Sequence, residues 1–342
     1  MRHTAGFLLV RGESAVPAPL VSYSKFPIPV AQQVALLASR GMNIEDPAFA
    51  EQILSRVNYY RLSGYSRSFR IDGSDLFKPG ASFARVVALY ELDRRLRLAL
   101  MDAIERVEVA VRTTITSTYS ARYGTFGHIH PNNFDPRFNH AEWTKKLNKE
   151  VEDSTEVFIA HYRKTYQEYP KVPLWMGTEI LSFGALTRFY KGRRSELRTQ
   201  VASGFGCHEE VFSSWLLSLS YVRNLCAHHS RLLHRDLAVK PKLPAKNPSW
   251  AAPELALPGR IFVAILLIRT MLRTFKLGAD WAQRFELEFR ADFADPLVLY
   301  AIGASGDWTA HPIWKGPPPT SVAAPNTAFK LPIRSLGSDK SE

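Results

Sequence analysis

The sequence predicts an all-α protein, and three observations predict it. From Ser82 to about Tyr123, apolar residues recur every three or four positions, with no Pro or Gly between Ala84 and Tyr123. Further amphipathic segments at helical spacing cover 140–169, 174–191 and 209–233. A strongly apolar helical segment follows over 260–276. No internal repeat interrupts this series.

Taken in order, residues 1–24 carry no periodic pattern and contain Pro17 and Pro19, which reads as a flexible extension. Val30 to Arg40 gives a short helix, with Val34, Leu37 and Ala38 at helical spacing, and Gly41 stops it. Asp46-Pro47 is an N-cap followed by Pro at the first helical position, so a second helix runs to about Val57. Asn58 to Tyr65, NYYRLSGY, is aromatic-rich and reads first as a packed tight turn. In the other reading, Arg61 or a Tyr contacts RNA. Asp72-Gly73 and Pro79-Gly80 mark turns, with a small β-excursion expected around 66–78.

The long helix carries the main apolar stripe: Leu92, Leu96, Leu100, Ile104, Val107, Val111 and Ile115. Beside it lie Asp93 and Arg97, Asp102 and Arg106, and Glu108 and Arg112, each pair four apart and able to bridge along one helix face. Gly124 to Arg137 is a loop. Its His128 and His130 have no acidic or Cys partner at ligand spacing, so no metal site is expected there. In 140–169 a helix or helix pair turns Trp143, Leu147, Val151, Phe158 and Tyr162 inward, and Pro170 and Pro173 break it. The 174–191 segment reads as an amphipathic helix with Trp175, Ile180, Leu181, Phe183, Leu186 and Phe189 as its apolar residues. The basic cluster Arg193, Arg194 and Arg198 reads either as a solvated face or as a grip on a phosphate backbone. Residues 204–206 form a turn before the helix at 209–233. The Pro- and Lys-rich stretch 236–258 reads as an extended arm, and short helices are expected over 280–302. From Gly303 the chain is rich in Pro, Ser and Gly and reads as a disordered tail. The resulting division is an extension (1–24), a small N-terminal helical subdomain (25–80), a helical bundle (81–235), an arm with C-terminal helices (236–302) and a tail (303–342).

Composition narrows the function. Lys and Arg number 44 against 32 Asp and Glu, a net charge of +12. That balance suits a polyanionic partner such as nucleic acid, and equally a basic protein with no such partner. With two cysteines, Cys207 and Cys226, there is no disulfide framework or Cys-rich metal site. The short apolar run Phe7 to Val10 falls below a signal-peptide core of ~7–15 residues. The run Ile261 to Ile268 falls below the ~20 residues of a membrane span. These features point to a cytoplasmic protein with no membrane partner.

The stretch that could carry chemistry is Ser214 to Leu233, SWLLSLSYVRNLCAHHSRLL. It contains Arg223, Asn224, His228, His229 and Arg231, with Arg223 and His228 in the spacing R-x4-H. With 29 Arg and 10 His in 342 residues, chance supplies about one such spacing, and the chain has one. Five residues of ideal helix turn by ~140° and rise ~7.5 Å, so Arg223 and His228 do not share a stripe, whereas Asn224 and His228 do. A joint Arg–His site therefore needs a bend, a helix end, long side chains, or a two-fold dimer that pools two copies of the segment. Such a site suits metal-free RNA cleavage. Neutral His takes the proton of a ribose 2′-hydroxyl, protonated His gives one to the leaving 5′-oxygen, and Arg meets the phosphate charge. The competing structural reading pairs Arg223 with a carboxylate of the long helix. It leaves His228 and His229 at the helix's negative end.

Four ordered blocks carry a resemblance: NYYRLSGY at 58–65, LYELDRRLRLALMDAIERVEVAVRT at 89–113, PLWMGTEILSFGALTRFYK at 173–191 and SWLLSLSYVRNLCAHHSRL at 214–232. With them the chain resembles the bacterial abortive-infection (Abi) proteins of the AbiD/AbiF-like group within the HEPN superfamily, over roughly residues 25–275. The resemblance implies a HEPN-like helical bundle in which R-x4-H is a ribonuclease signature. It maps onto Arg223 and His228, with Asn224 as the accompanying polar residue. It further implies a metal-independent endoribonuclease without cofactor, acting on RNA as a homodimer in phage defence, and a toxin that an antitoxin or a phage-derived trigger could control. Supporting roles are expected for His229, Glu105, Glu108 and Arg112. RNA contacts are expected from Arg61, Arg193, Arg194, Arg198 and Arg231. The alternative function is a non-catalytic RNA-binding or protein-interaction bundle.

Overall fold

A computed structural model describes Ser22 and residues 26–316. Most of the expected N-terminal extension and residues 317–342 of the expected tail lie outside the described residues. The fold is all-α. Among the described residues no strand forms, and β pairing is confined to isolated bridges.

Two compact units divide the chain after Arg85. In the first, α1 (Val30–Ser39) packs on α2 (Pro47–Arg56) through buried Val34, Leu37, Ala50 and Leu54. The Asp46 side chain accepts from the Phe49 N–H at 2.9 Å, with Pro47 at the first helical position, as the Asp-Pro pair predicts. NYYRLSGY is not a tight turn but a helix, α3 (Tyr59–Ser66). Asn58 caps it by accepting from the Tyr60 N–H at 2.7 Å, and Leu62 and Tyr65 supply its buried face. The expected β-excursion reduces to one bridge between Arg70 and Phe77 after a 3-10 turn at Arg67–Phe69.

The helix α4 (Phe83–Tyr123) has Ser82 Oγ accepting from the Arg85 N–H at 3.2 Å. It is the axis of the second unit. Leu96, Leu100, Ile104, Val107, Val111, Ile115 and Tyr119 are fully buried along it, which matches the predicted stripe. Burying one such aliphatic side chain is worth ~1.5–3 kcal/mol. The expected 140–169 segment is a pair, α5 (His140–Asp153) and α6 (Val157–Thr165). The expected single helix over 174–191 is two, α7 (Leu174–Ile180) and α8 (Phe183–Lys191). Ser182 supplies the break by capping α8, and Trp175 is exposed.

A further helix, α9 (Ser195–Ser203), follows, and then α10 (Glu209–Ala227). The segment 236–258 has no α-helix. It crosses α10, whose Trp215 Nε1 donates to the Lys242 carbonyl at 2.9 Å and whose ring meets buried Trp250. Next comes α11 (Ile261–Thr274), buried from Ile261 to Ile268. The short helices α12 (Ala279–Phe289), α13 (Pro296–Ile302) and α14 (Pro312–Lys315) complete the fold. A tail beginning at Gly303 is therefore corrected. Trp308, His311, Ile313 and Trp314 are buried, and Trp314 lies 5.6 Å from Phe285 between ring centres. The Trp residues outweigh the Pro and Gly around them by filling this aromatic cluster. No helix among the described residues is long and apolar enough to cross a membrane.

Candidate functional site

The candidate site begins with α10 and ends in the chain that leaves it. Phe212, Trp215, Leu216, Leu219, Val222, Leu225 and Cys226 recur at three- and four-residue steps and are buried against α8, α9 and α11. The opposite stripe carries exposed Leu217, half-exposed Tyr221, and exposed Asn224 and His228. The helix stops at Ala227, short of the expected 233. His228 is its C-cap, and His229 takes the left-handed conformation at φ 55°. The His229 N–H donates to the Cys226 carbonyl at 3.0 Å and the Ser230 N–H to the Leu225 carbonyl at 2.8 Å, the paired bonds of a Schellman ending. That conformation normally favours glycine. A histidine here is held by its surroundings against a cost of ~1–2 kcal/mol.

Those surroundings come from α4. Asp93 is fully buried and accepts from the Leu232 N–H at 3.0 Å and the Leu233 N–H at 2.9 Å. Arg97, also buried, pairs with Asp93 and reaches the Ser230 carbonyl at 3.4 Å. One buried ion pair thus fixes the backbone just after the two histidines. Sequence spacing shows Asp93 and Arg97 as an i, i+4 pair but not as this anchor. The available signal is that Asp93 occupies a core position, between Leu89 and Leu96 on the apolar stripe.

Arg223 is half-buried and makes no ion pair or hydrogen bond with its side chain among the described residues. Of the competing reading, the Arg223–carboxylate pair does not form among the described residues, while His228 and His229 do stand at the end of α10. The helix through Arg223 runs unbroken to Ala227, so Arg223 and His228 of one chain project ~140° apart. His228 is exposed at the helix end.

The expected supporting residues separate. Glu108 and Arg112 pair at 2.8 Å, and Arg112 also donates to the Leu181 carbonyl at 3.1 Å. They close the break between α7 and α8; neither hydrogen-bonds or ion-pairs with Arg223 or His228. Glu105 is exposed on α4.

Among the expected RNA contacts, Arg61 is exposed in the first unit. Arg231 Nη1 is turned to the Leu233 carbonyl at 2.7 Å. Arg193 is corrected outright: it is fully buried over the rings of Tyr119 and Phe189, with Nη2 donating to the Ile115 carbonyl at 2.7 Å. Burial pushes its guanidinium down to about 9, and it cannot reach a ligand outside. Arg198 is held by Glu209 at 2.9 Å, and exposed Arg194 donates to the Asn132 carbonyl at 2.6 Å.

Burial pushes both Cys207 and Cys226 thiols up to about 12, so neither is a thiolate nucleophile at neutral pH. Among the described residues no three His, Cys, Asp or Glu side chains gather as a metal ion requires.

A family model described as Abi-like protein matches residues 52–234, more than half of the 342-residue chain. The span runs from α2 through α10 and past the Asp93-anchored segment. Comparison with curated proteins and with solved structures gives no match.

Proposed function

This chain belongs to the Abi-like protein family, and we propose that it acts in phage defence by abortive infection as a metal-independent endoribonuclease of the HEPN type. The observation that carries this reading is the open end of α10. Asn224 and His228 are exposed on one stripe, and Arg223 lies beside them without a partner among the described residues. A merely structural Arg or His is usually tied to a carbonyl or carboxylate, as Arg97, Arg193 and Arg198 are.

In the proposed reaction, a neutral His228 accepts the 2′-hydroxyl proton. The 2′-oxygen attacks the adjacent phosphorus, and the P–O5′ bond breaks. A protonated His228 of a second copy protonates the leaving 5′-oxygen, and a 2′,3′-cyclic phosphate remains. Arg223 holds the phosphate charge, and Asn224 orients the phosphate or the ribose by hydrogen bonding. The ~140° between Arg223 and His228 on one helix is why a homodimer, with two α10 ends in one cleft, fits better than a self-contained pair.

Purified protein is expected to cut RNA in EDTA, leaving 2′,3′-cyclic or 3′-phosphate ends, and to leave DNA intact. Arg223→Ala and His228→Ala are each expected to lower cleavage by ~10²–10⁴-fold. Full cleavage in both variants sinks the assignment. RNA binding with no turnover by the unsubstituted protein supports the non-catalytic RNA-binding bundle instead.

A further inference from the structure

The outer face of α8 forms a second surface in the same unit. Gly184, Arg188 and Lys191 lie at i, i+4 and i+7 and are all exposed. They line an open cleft of about 700 Å³. Its other walls are the loop carrying Asp135, Arg137 and Phe138, the Arg198 side chain, and Leu217 of α10. Two of the four cations here are already neutralised. Arg137 forks onto Asp135 at 3.0 and 2.9 Å, and Arg198 onto Glu209 at 2.9 Å. Arg188 and Lys191 have no hydrogen bond or ion pair through their side chains among the described residues. Glu142, already bridged to Lys146, is near enough to Arg188 to feel its charge, so the cleft keeps a net positive charge carried by Arg188 and Lys191. Phe138, stacked on Phe134 at 5.3 Å between centres, adds a half-buried ring to its wall. Cations with no side-chain hydrogen bond or ion pair, set beside an aromatic ring in an open groove, suit phosphates and bases of a single strand.

The cleft is also in line with the α10 end. Leu217, Tyr221, Asn224 and His228 follow one another at four, three and four residues, within ~40° of one stripe. Leu217 lies ~10 Å along the helix from Asn224 and ~16 Å from His228, a span that a few nucleotides cross.

We propose that this cleft is the binding site for single-stranded RNA flanking the cleaved bond, with Arg188 and Lys191 on its phosphates and Phe138 against a base. The proposal rests on the ribonuclease reading for the direction of the strand, but the binding itself can be measured without cleavage. It also relocates the RNA grip from the Arg193–Arg198 cluster to α8.

The test uses the full chain and a fluorescent 12-nucleotide 2′-O-methyl RNA, which cannot supply the attacking hydroxyl. Binding is read by anisotropy between 50 and 200 mM salt. The variant Arg188→Ala/Lys191→Ala is expected to raise Kd about tenfold at low salt and to flatten the log Kd against log salt slope by ~1.4, two single-strand contacts at ~0.7 each. Phe138→Leu is expected to raise Kd with the slope unchanged, because stacking releases no counterions. All variants should melt within a few degrees of the unsubstituted protein, since Arg188 and Lys191 are exposed and Leu keeps apolar bulk at 138. An unchanged Kd and slope in the double variant overturn the cleft. So does displacement of the RNA by polyglutamate of equal charge at equal concentration, which makes an acidic protein segment the occupant. Cleavage of unmodified RNA is followed on the same preparations. Binding through the cleft without cleavage removes the ribonuclease reading and leaves the cleft. Cleavage with an unaltered double variant does the reverse.

Discussion

Two regions of the second unit each contain an arginine and a histidine, and they are opposites. Around Tyr119, Arg193 and His128 are sealed within an aromatic cluster that includes Phe134, Trp143 and Phe189. At the end of α10, Arg223 is half-buried and His228 is exposed. The residue types are the same; only the surroundings differ. Inside, burial lowers the Arg193 guanidinium to about 9 and the His128 imidazole to about 4, so both charges are disfavoured. Two aromatic rings and the Ile115 carbonyl partly compensate the buried cation. The inner pair acts as structure. The outer pair makes no hydrogen bond or ion pair through its side chains among the described residues, and a different buried pair, Asp93 and Arg97, holds the backbone behind it.

The strongest way to break this contrast is to remove that anchor. Asp93→Ala leaves Arg97 buried without its carboxylate and the Leu232 and Leu233 N–H groups unpaired. A loss of ~3–5 kcal/mol in urea unfolding is expected. A loss below ~1 kcal/mol would mean that the α10 end is not held from α4.

Next in size is Arg193→Ala, with ~3 kcal/mol expected from the cavity beneath Tyr119 and Phe189. Arg193→Met should cost clearly less, because it fills the space and carries no charge to bury. Equal losses for Ala and Met would assign the stabilisation to the guanidinium's bonds instead of its bulk. Neither variant should weaken RNA binding by the folded protein. A tenfold weaker Kd at constant fold would place Arg193 in the interface after all.

The third effect is a pH dependence of the inner region. His128 is lowered from 6.5 to about 4, by burial first and then by His140 and His130. Its neutral form belongs to the folded state, so the unfolded chain binds the extra proton. The contribution is complete above about pH 6.5 and is lost as pH falls towards 4. The slope is at most ~1.4 kcal/mol per pH unit for one such group. His234, lowered to about 4 by burial and by Arg260 and Arg231, acts in the same direction. Urea midpoints between pH 7 and 5 should fall for the unsubstituted protein and fall less steeply for His128→Leu. Equal steepness in the two would show that His128 is not the group that titrates.

Periodicity was enough to reveal the helices that hold the inner region. The α4 stripe from Leu92 to Ile115 and the caps at Asp46 and Pro47 follow from spacing and residue type alone. What spacing could not give is which charge faces inward. Arg193, Arg194 and Arg198 look alike as a cluster, yet one is enclosed by rings contributed from α4 and α8, more than seventy residues apart for the Ile115 contact. Ser182 and the Arg112–Leu181 bond split one expected helix into two, a tertiary effect on a segment whose apolar pattern is continuous. Within the candidate site, Asn224 and His228 on one stripe were legible from their four-residue spacing. The Asp93 anchor was not, because the N–H groups that donate to it lie about 140 positions away in the chain. Pro and Gly after 303 masked a packed segment whose Trp308 and Trp314 needed partners from α12.

The smallest stability effect should fall where the largest activity effect is expected. Arg223→Ala and His228→Ala remove side chains with no hydrogen bond or ion pair among the described residues, so each should change unfolding free energy by less than ~0.5 kcal/mol. Combined with Arg193→Ala, His228→Ala should be additive within ~0.5 kcal/mol, as expected for sites that share no partner. A coupling of 1 kcal/mol or more would mean that the two regions are one network, and the division between an inner structural pair and an outer working pair would fail. Near-zero coupling, set beside a cleavage loss of ~10²-fold or more for His228→Ala, would place the histidine's energy in the reaction and not in the fold.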